Sequence, residues 1–301
     1  ENPVTYMCFD VMRLDGHDLC ALPWRDRRSL LESLDLPART LLPPVYPVAM
    51  RDFLTFEAHV DGMEKGHGNP GPPEEWYAAP VFLFMAPHAV VGPHDDVAYP
   101  PGTARLDFEL ELAAIVCRDV HNVSPEQARS AIGGYCVMND WSARDVQGQE
   151  MKLKLGPSKG KDFATTIGPW VVTSDELDDC RDGDGFLDLE MTVRVNGEVV
   201  GKDRSGHMGW SFEQLVSHGS RASWVKAGEV LGSGTCSTGS LAESWGRTGS
   251  LTPPPLQVGG VGDHRVEVVL RHREERCLRA HSRSRARQNE GHQQKRTHFH
   301  G

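Results

Sequence analysis

The sequence has no C-x-x-C pair, no apolar run long enough to span a bilayer, no internal repeat and no βαβ nucleotide-binding unit. Its seven cysteines (Cys8, Cys20, Cys117, Cys136, Cys180, Cys236, Cys277) are scattered and odd in number. That pattern argues against a disulfide framework and a structural zinc site, and for free thiols in a reducing cytoplasm. The N-terminus does not read as a secretion signal, and no membrane association is expected. An acidic balance, with a net charge of -10, disfavours nucleic-acid binding by the body of the chain.

What is present reads as an ordinary globular protein. The 301 residues are 39% hydrophobic and 25% charged, enough for one large or two modest domains. The charge is unevenly spread: nine Lys/Arg against three Asp/Glu from residue 271 onward make the tail +6 and leave -16 elsewhere. Three parts follow. Residues 1–42 form a short segment that ends at a proline-rich stretch. Residues 43–262 are rich in short strands and turns. Residues 263–301 are rich in Arg and His and read as a disordered tail, or as the product of a shifted reading frame after about residue 258. Within the middle part, Asn196-Gly197 after an alternating run predicts a hairpin, because type I′ turns need positive φ twice. Ser124-Pro-Glu-Gln127 and Ser211-Phe-Glu-Gln214 carry capping-box spacing and predict helix starts. The expected fold class is α+β and β-rich.

The chemistry starts at Leu106-Asp-Phe-Glu-Leu-Glu-Leu112. Alternation along a strand places Glu109 and Glu111 on one face and Leu106, Phe108, Leu110 and Leu112 on the other. Two carboxylates about 7 Å apart at Cα suit a hard cation. The competing reading is a half-buried strand with a solvated acidic face. Further on, Met138-Asn-Asp-Trp-Ser-Ala-Arg-Asp-Val-Gln147 puts Asp140 and Arg144 in a predicted turn, where Arg144 has Asp140 and Asp145 as possible ion-pair partners. Trp141 and Trp170 are expected in the core. Lys159-Gly-Lys-Asp-Phe163 and Ile167-Gly-Pro-Trp170 follow, and upstream Asp52 and His59 stand seven residues apart.

In order and spacing, the E-x-E strand, the N-D-W-S-A-R-D-x-Q loop, G-K-D-F and G-P-W resemble the catalytic domain of the fumarylacetoacetate hydrolase family over about residues 45–260. The resemblance implies a mixed β-sandwich roll, found as a homodimer, and cleavage of a C–C bond between two carbonyls of a small keto acid. It also implies a divalent cation, Mg²⁺ first, with Mn²⁺ or Ca²⁺ as alternatives. Glu109, Glu111 and Asp140 would hold that cation, with Asp52 matching a further ligand. His59 matches a water-activating base and Glu243 the carboxylate that orients it. Arg144, Gln147 and Lys161 would bind substrate oxygens or donate to the developing carbanion, with Lys159 as a near rival for Lys161. Leu54 and Leu83 stand where fumarylacetoacetate-specific members have tyrosines, which leaves the substrate open.

Two further readings stand beside this one. Within the family, isomerisation, decarboxylation or hydration of a 2-oxo diacid from aromatic breakdown is the alternative. From another class, the chain could be an inactive fusion whose basic tail binds nucleic acid. Residues 1–40 resemble an internal piece of ATP-dependent DNA ligases: Phe9-Asp10 with Asp15-Gly16, then Arg27-Arg28-Ser-Leu-Leu-Glu32. No K-x-D-G precedes them, so nucleotidyl transfer lacks its lysine nucleophile.

Overall fold

The computed structural model describes residues 42–257 and the strand at 266–271, with short pieces at 13–14, 17–18, 23, 26 and 29–30. In chain order the main elements are β1 (Met50–Phe53), α1 (Glu57–Gly66), β2 (Phe82–Met85), β3 (Val90–Val91), β4 (Leu110–Val116) and β5 (Ile132–Asp140). Then come α2 (Arg144–Glu150), β6 (Thr165–Ile167), β7 (Glu190–Val195), β8 (Glu198–Arg204), α3 (Phe212–Ser220), β9 (Val230–Gly232), α4 (Leu241–Thr248) and β10 (Val266–Arg271). An eight-stranded mixed sheet runs in the order β2-β1-β9-β4-β5-β6-β3, with Val172–Thr173 also pairing with β5. β9 lies parallel to β1 and β6 parallel to β3, while the β9–β4, β4–β5 and β5–β6 pairs are antiparallel. A second sheet has the order β8-β7-β10.

Alternation on the central strands divides the interior in two. Leu110, Leu112 and Ala114 of β4 enter the main core with Phe53, Phe56, Phe108, Tyr135, Met191, Leu215 and Leu231. Ala113 and Ile115 face the other way, into a smaller cluster of Met50, Met85, Cys136, Met138, Ile167 and Val230. Full burial of Leu110 and Leu112 contributes about 1.5–3 kcal/mol each. Glu111 shares the face of the smaller cluster, so the sheet carries its acids at one end of an apolar layer.

Several local expectations hold. Ser124 and Ser211 each close a capping box, with Gln127 and Gln214. Asn196 (φ 54°) and Gly197 (φ 85°) turn the chain between β7 and β8. Among the described residues, Cys117, Cys136 and Cys236 are free thiols. Cys8, Cys20 and Cys277 lie outside the described residues. Among those residues no helix is long and apolar enough to cross a membrane.

Others need correction. The predicted strand over 106–112 is broken: Leu106–Asp107 pairs with Ser142–Ala143, and β4 begins only at Leu110. The break has a cause. The Asp107 side chain accepts the Phe108 amide (2.8 Å) and the Asn139 side chain accepts the Glu109 amide (2.9 Å), so side chains replace the ladder there. Its acidic face is not solvated either, because both glutamates are buried. Asp140 and Arg144 occupy no turn: Asp140 ends β5 and Arg144 begins α2. Trp170 is 43% exposed rather than core, whereas Trp141 does pack, partly buried, against the main core with its indole N–H on Thr166 Oγ1. β10 lies past residue 262, the boundary drawn from the sequence, and pairs along all of β7. The remainder of the tail, 272–301, falls outside the described residues. So does most of the ligase-like segment, within which Arg13–Leu14 pairs antiparallel with His17–Asp18.

Candidate active site

Three strands of the mixed sheet and one linker residue bring the acids together. Asp52 comes from β1, Glu111 from β4 and Asp140 from the end of β5, while Glu109 immediately precedes β4. One carboxylate oxygen from each lies within 4.8 Å of the others, and all four residues are buried. Gly232 of β9 stands between Asp52 and Glu111 in the strand order. A Cβ there would approach Asp52 Oδ1 to 2.7 Å and Glu111 Oε2 to 2.9 Å, so the glycine leaves open the space between the two acids.

Two buried cations answer part of this charge. Lys161 Nζ donates to Glu109 Oε2 (2.5 Å), to Asp140 Oδ2 and to Ser142 Oγ (3.0 Å). Arg144 pairs with Glu109 Oε1 (2.7 Å) and with Asp107 Oδ2 (2.8 Å). Arg144 therefore takes neither Asp140 nor Asp145, the partners its sequence neighbourhood offered. Lys159 is exposed and pairs with Asp162, which leaves Lys161 as the lysine at the site. Gln147 stands one step back, accepting from Arg144 Nη1 at 3.1 Å.

The four acids do not titrate alike. Burial pushes Asp52 up to about 6, only partly opposed by the Lys161 ammonium. Burial, then the charges of Asp52, Glu109 and Asp140, push Glu111 well above the carboxylate range. Asp140 is also raised, burial and the Glu109 and Asp52 charges outweighing Lys161. Glu109 goes the other way. Burial raises it, but Lys161 and Arg144, with a smaller contribution from His59, together hold it far below its ordinary value.

The residues fit a hard divalent cation. Asp52 Oδ1, Glu111 Oε1 and Asp140 Oδ1 are buried with no hydrogen-bond partner, an arrangement that is costly unless something accepts their lone pairs. With every group ionised, the four carboxylates outnumber Lys161 and Arg144, and Arg144 is shared with Asp107, so negative charge is left over for a divalent ion to offset. An all-oxygen donor set matches Mg²⁺, Mn²⁺ or Ca²⁺ better than a softer metal.

The second part of the site lies where α1 crosses α4. His59 Nδ1 stands 3.1 Å from Glu243 Oε2, both side chains buried. Glu243 also accepts from the Thr238 amide (2.7 Å) and from Arg247. The crossing is close because it is made of glycine. A Cβ on Gly62 would lie 2.8 Å from Glu243 Cγ, and one on Gly66 would lie 2.6 Å from Gly246 Cα. The nine residues singled out from the sequence thus fall into two adjoining groups. Asp107 and Gly232 were missed, since an aspartate within a predicted strand and one glycine among 31 carry no local signal.

Comparison with known proteins places this geometry. The family model described as fumarylacetoacetate (FAA) hydrolase C-terminal matches residues 49–275. The chain belongs to the fumarylacetoacetate hydrolase family. An uncharacterized protein of Pyrococcus abyssi is 35% identical over 166 residues, 54% of this chain and 69% of that one. The fumarylacetoacetase of Rattus norvegicus is 32% identical over 215 residues, 62% of this chain and 51% of that one. Among solved structures, a fumarylacetoacetate hydrolase from Exiguobacterium antarcticum superposes with TM-score 0.59 at 26% identity, covering 76% of this chain and 73% of that one. A 5-carboxymethyl-2-hydroxymuconate delta-isomerase from Mycobacterium smegmatis gives TM-score 0.56 at 25% identity, covering 76% and 75%. The mixed sheet with its helices is the α+β fold of this family, whose members include both hydrolases and isomerases.

Proposed function

We propose that the chain is a cytoplasmic, homodimeric, metal-dependent hydrolase that cleaves a C–C bond in a β-diketo acid of the acylpyruvate or fumarylacetoacetate type. The observation that carries this reading is the buried His59–Glu243 pair beside the four-carboxylate cluster. Asp52, Glu109, Glu111 and Asp140 would hold the cation, Mg²⁺ by preference. When bound, the ion would supply Lewis acidity toward the carbonyl oxygens of the substrate. The remaining work falls to side chains. With Glu243 accepting at Nδ1, the His59 ring presents Nε2 as the nitrogen free to take a proton from water. The Glu243 charge stabilises the imidazolium that results. Arg144 Nη2 is buried without a partner and supplies a donor for a substrate carboxylate or carbonyl oxygen. Lys161 places positive charge beside the departing enolate.

The test is turnover of purified protein on a panel of acylpyruvates and fumarylacetoacetate, with Mg²⁺, with chelator, and with Glu109→Ala. Hydrolysis that requires the ion and vanishes in the variant is expected. Turnover indifferent to both would defeat the mechanism. The second reading, isomerisation, decarboxylation or hydration of a 2-oxo diacid, draws on Leu54 and on Leu83, which pairs directly with Asp52 across the β1–β2 ladder. It also draws on the similarity to an isomerase structure. An isomerised or decarboxylated product with no hydrolysis would select it.

A further inference from the structure

Asp107 is fully buried, and the cation cluster does not include it. Its two oxygens accept four hydrogen bonds. Oδ1 takes the amides of Phe108 (2.8 Å) and Leu241 (2.9 Å). Oδ2 takes the amide of Ala242 (2.9 Å) and Nε of Arg144 (2.8 Å). Four donors saturate a carboxylate, so nothing is left over for a cation or a substrate. The donors come from both halves of the site. Leu241 and Ala242 are the first two residues of α4, the helix that carries Glu243 to His59. Arg144 holds Glu109 with its next nitrogen, and Glu109 lies two residues beyond Asp107 itself.

We propose that Asp107 is the positioning residue that locks the cation edge to the His59–Glu243 pair. Its charge suits the positive end of α4, while the fork of Arg144 spans Asp107 and Glu109 and fixes the glutamate's orientation. A neutral amide of the same shape cannot replace it. Asparagine keeps one acceptor oxygen and turns an NH₂ toward either the α4 amides or Arg144, where donor would meet donor. The inference rests on the roles proposed above for Glu109 and for the His59–Glu243 pair, but none of its readouts requires turnover.

The experiment compares Asp107→Asn with Ser240→Ala in the full chain. Ser240 caps the same helix by accepting the Glu243 amide (3.4 Å), so its variant reports simple loss of a cap. Mn²⁺ affinity is read by calorimetry, and the His59 ring resonances by NMR. Asp107→Asn is expected to weaken Mn²⁺ about tenfold and to shift the His59 resonances. Ser240→Ala is expected to lower the melting temperature and leave both readouts alone. A folded Asp107→Asn protein with wild-type Mn²⁺ affinity and unmoved His59 resonances would overturn the proposal. If that variant does not fold, Arg144→Lys carries the test, because an ammonium cannot span both acids as the fork does. Amide exchange at Leu241 and Ala242 should then speed up severalfold, because both amides share the acceptor Asp107 with Arg144. Unchanged exchange would likewise overturn it. Absence of hydrolase activity would defeat the functional reading alone.

Discussion

At the cation edge four carboxylates face Lys161 and Arg144, and three of their oxygens have no hydrogen-bond partner. At the α1–α4 crossing Glu243 is answered in full by His59, the Thr238 amide and Arg247. One region is complete from its own residues and the other is not. Burial alone therefore does not mark a ligand site; buried charge that the chain leaves unanswered does. The difference predicts that the cation edge responds to ions and to pH, while the helix crossing responds to packing.

The largest effect should come from Glu111→Gln. It removes a cation oxygen and presents a donor to the Gly234 amide, which now donates to Oε2 at 3.1 Å. Cation-dependent turnover should fall about 1,000-fold, and Mn²⁺ binding measured by calorimetry should weaken in parallel. Wild-type Mn²⁺ affinity in this variant would remove Glu111 from the cation site.

Glu243→Gln should separate the two regions. Turnover is expected to drop about 100-fold, since the imidazolium loses its counter-charge. Cation affinity should stay within about twofold. Equal losses in both quantities would show that the two regions act as one.

The pH response should belong to the cation edge. An acid whose folded pKa is raised binds its proton more tightly in the folded chain. Stability is then present below the unfolded value of 3.8 and is lost as pH rises through about 6. For Asp52 that cost is about 3 kcal/mol at neutral pH. Mg²⁺ at about 100 times its dissociation constant offsets roughly 2.7 kcal/mol. Thermal melts should therefore show a larger Mg²⁺-induced rise at pH 8 than at pH 5. An equal rise at both would contradict the assignment of Asp52.

The smallest effect tests packing. Gly66→Ala should cost about 1–3 kcal/mol in denaturant unfolding, because its Cβ would meet the Gly246 backbone. Mn²⁺ affinity should be unchanged. A variant as stable as wild type would show that the crossing can open freely.

Much of this was legible in the sequence wherever a feature is built from near neighbours. Ser124 with Gln127, Ser211 with Gln214 and Asn196-Gly197 need partners only a few residues away, and their chemistry is fixed by the turn they make. The four acids were legible for another reason: alternation put Glu109 and Glu111 on one face of a strand, and the family resemblance added Asp140 and Asp52. What was hidden depends on partners far along the chain. Half of the break before β4 is made by Asn139, thirty residues on. The partner of Arg144 is Asp107, which sat in the sequence as one more polar residue of an alternating strand. Trp170 read as core because tryptophan usually packs, and nothing in the local sequence says that its ring lies 43% exposed.

The pairing of β10 with β7 also sets an order of events during synthesis. β7 and β8 can close as a hairpin as soon as residue 204 has left the ribosome, yet the partner for the other edge of β7 follows about seventy residues later. In that interval the nascent chain presents an unpaired strand edge, the kind of surface that chaperones shield and that neighbouring chains on a polysome can seize.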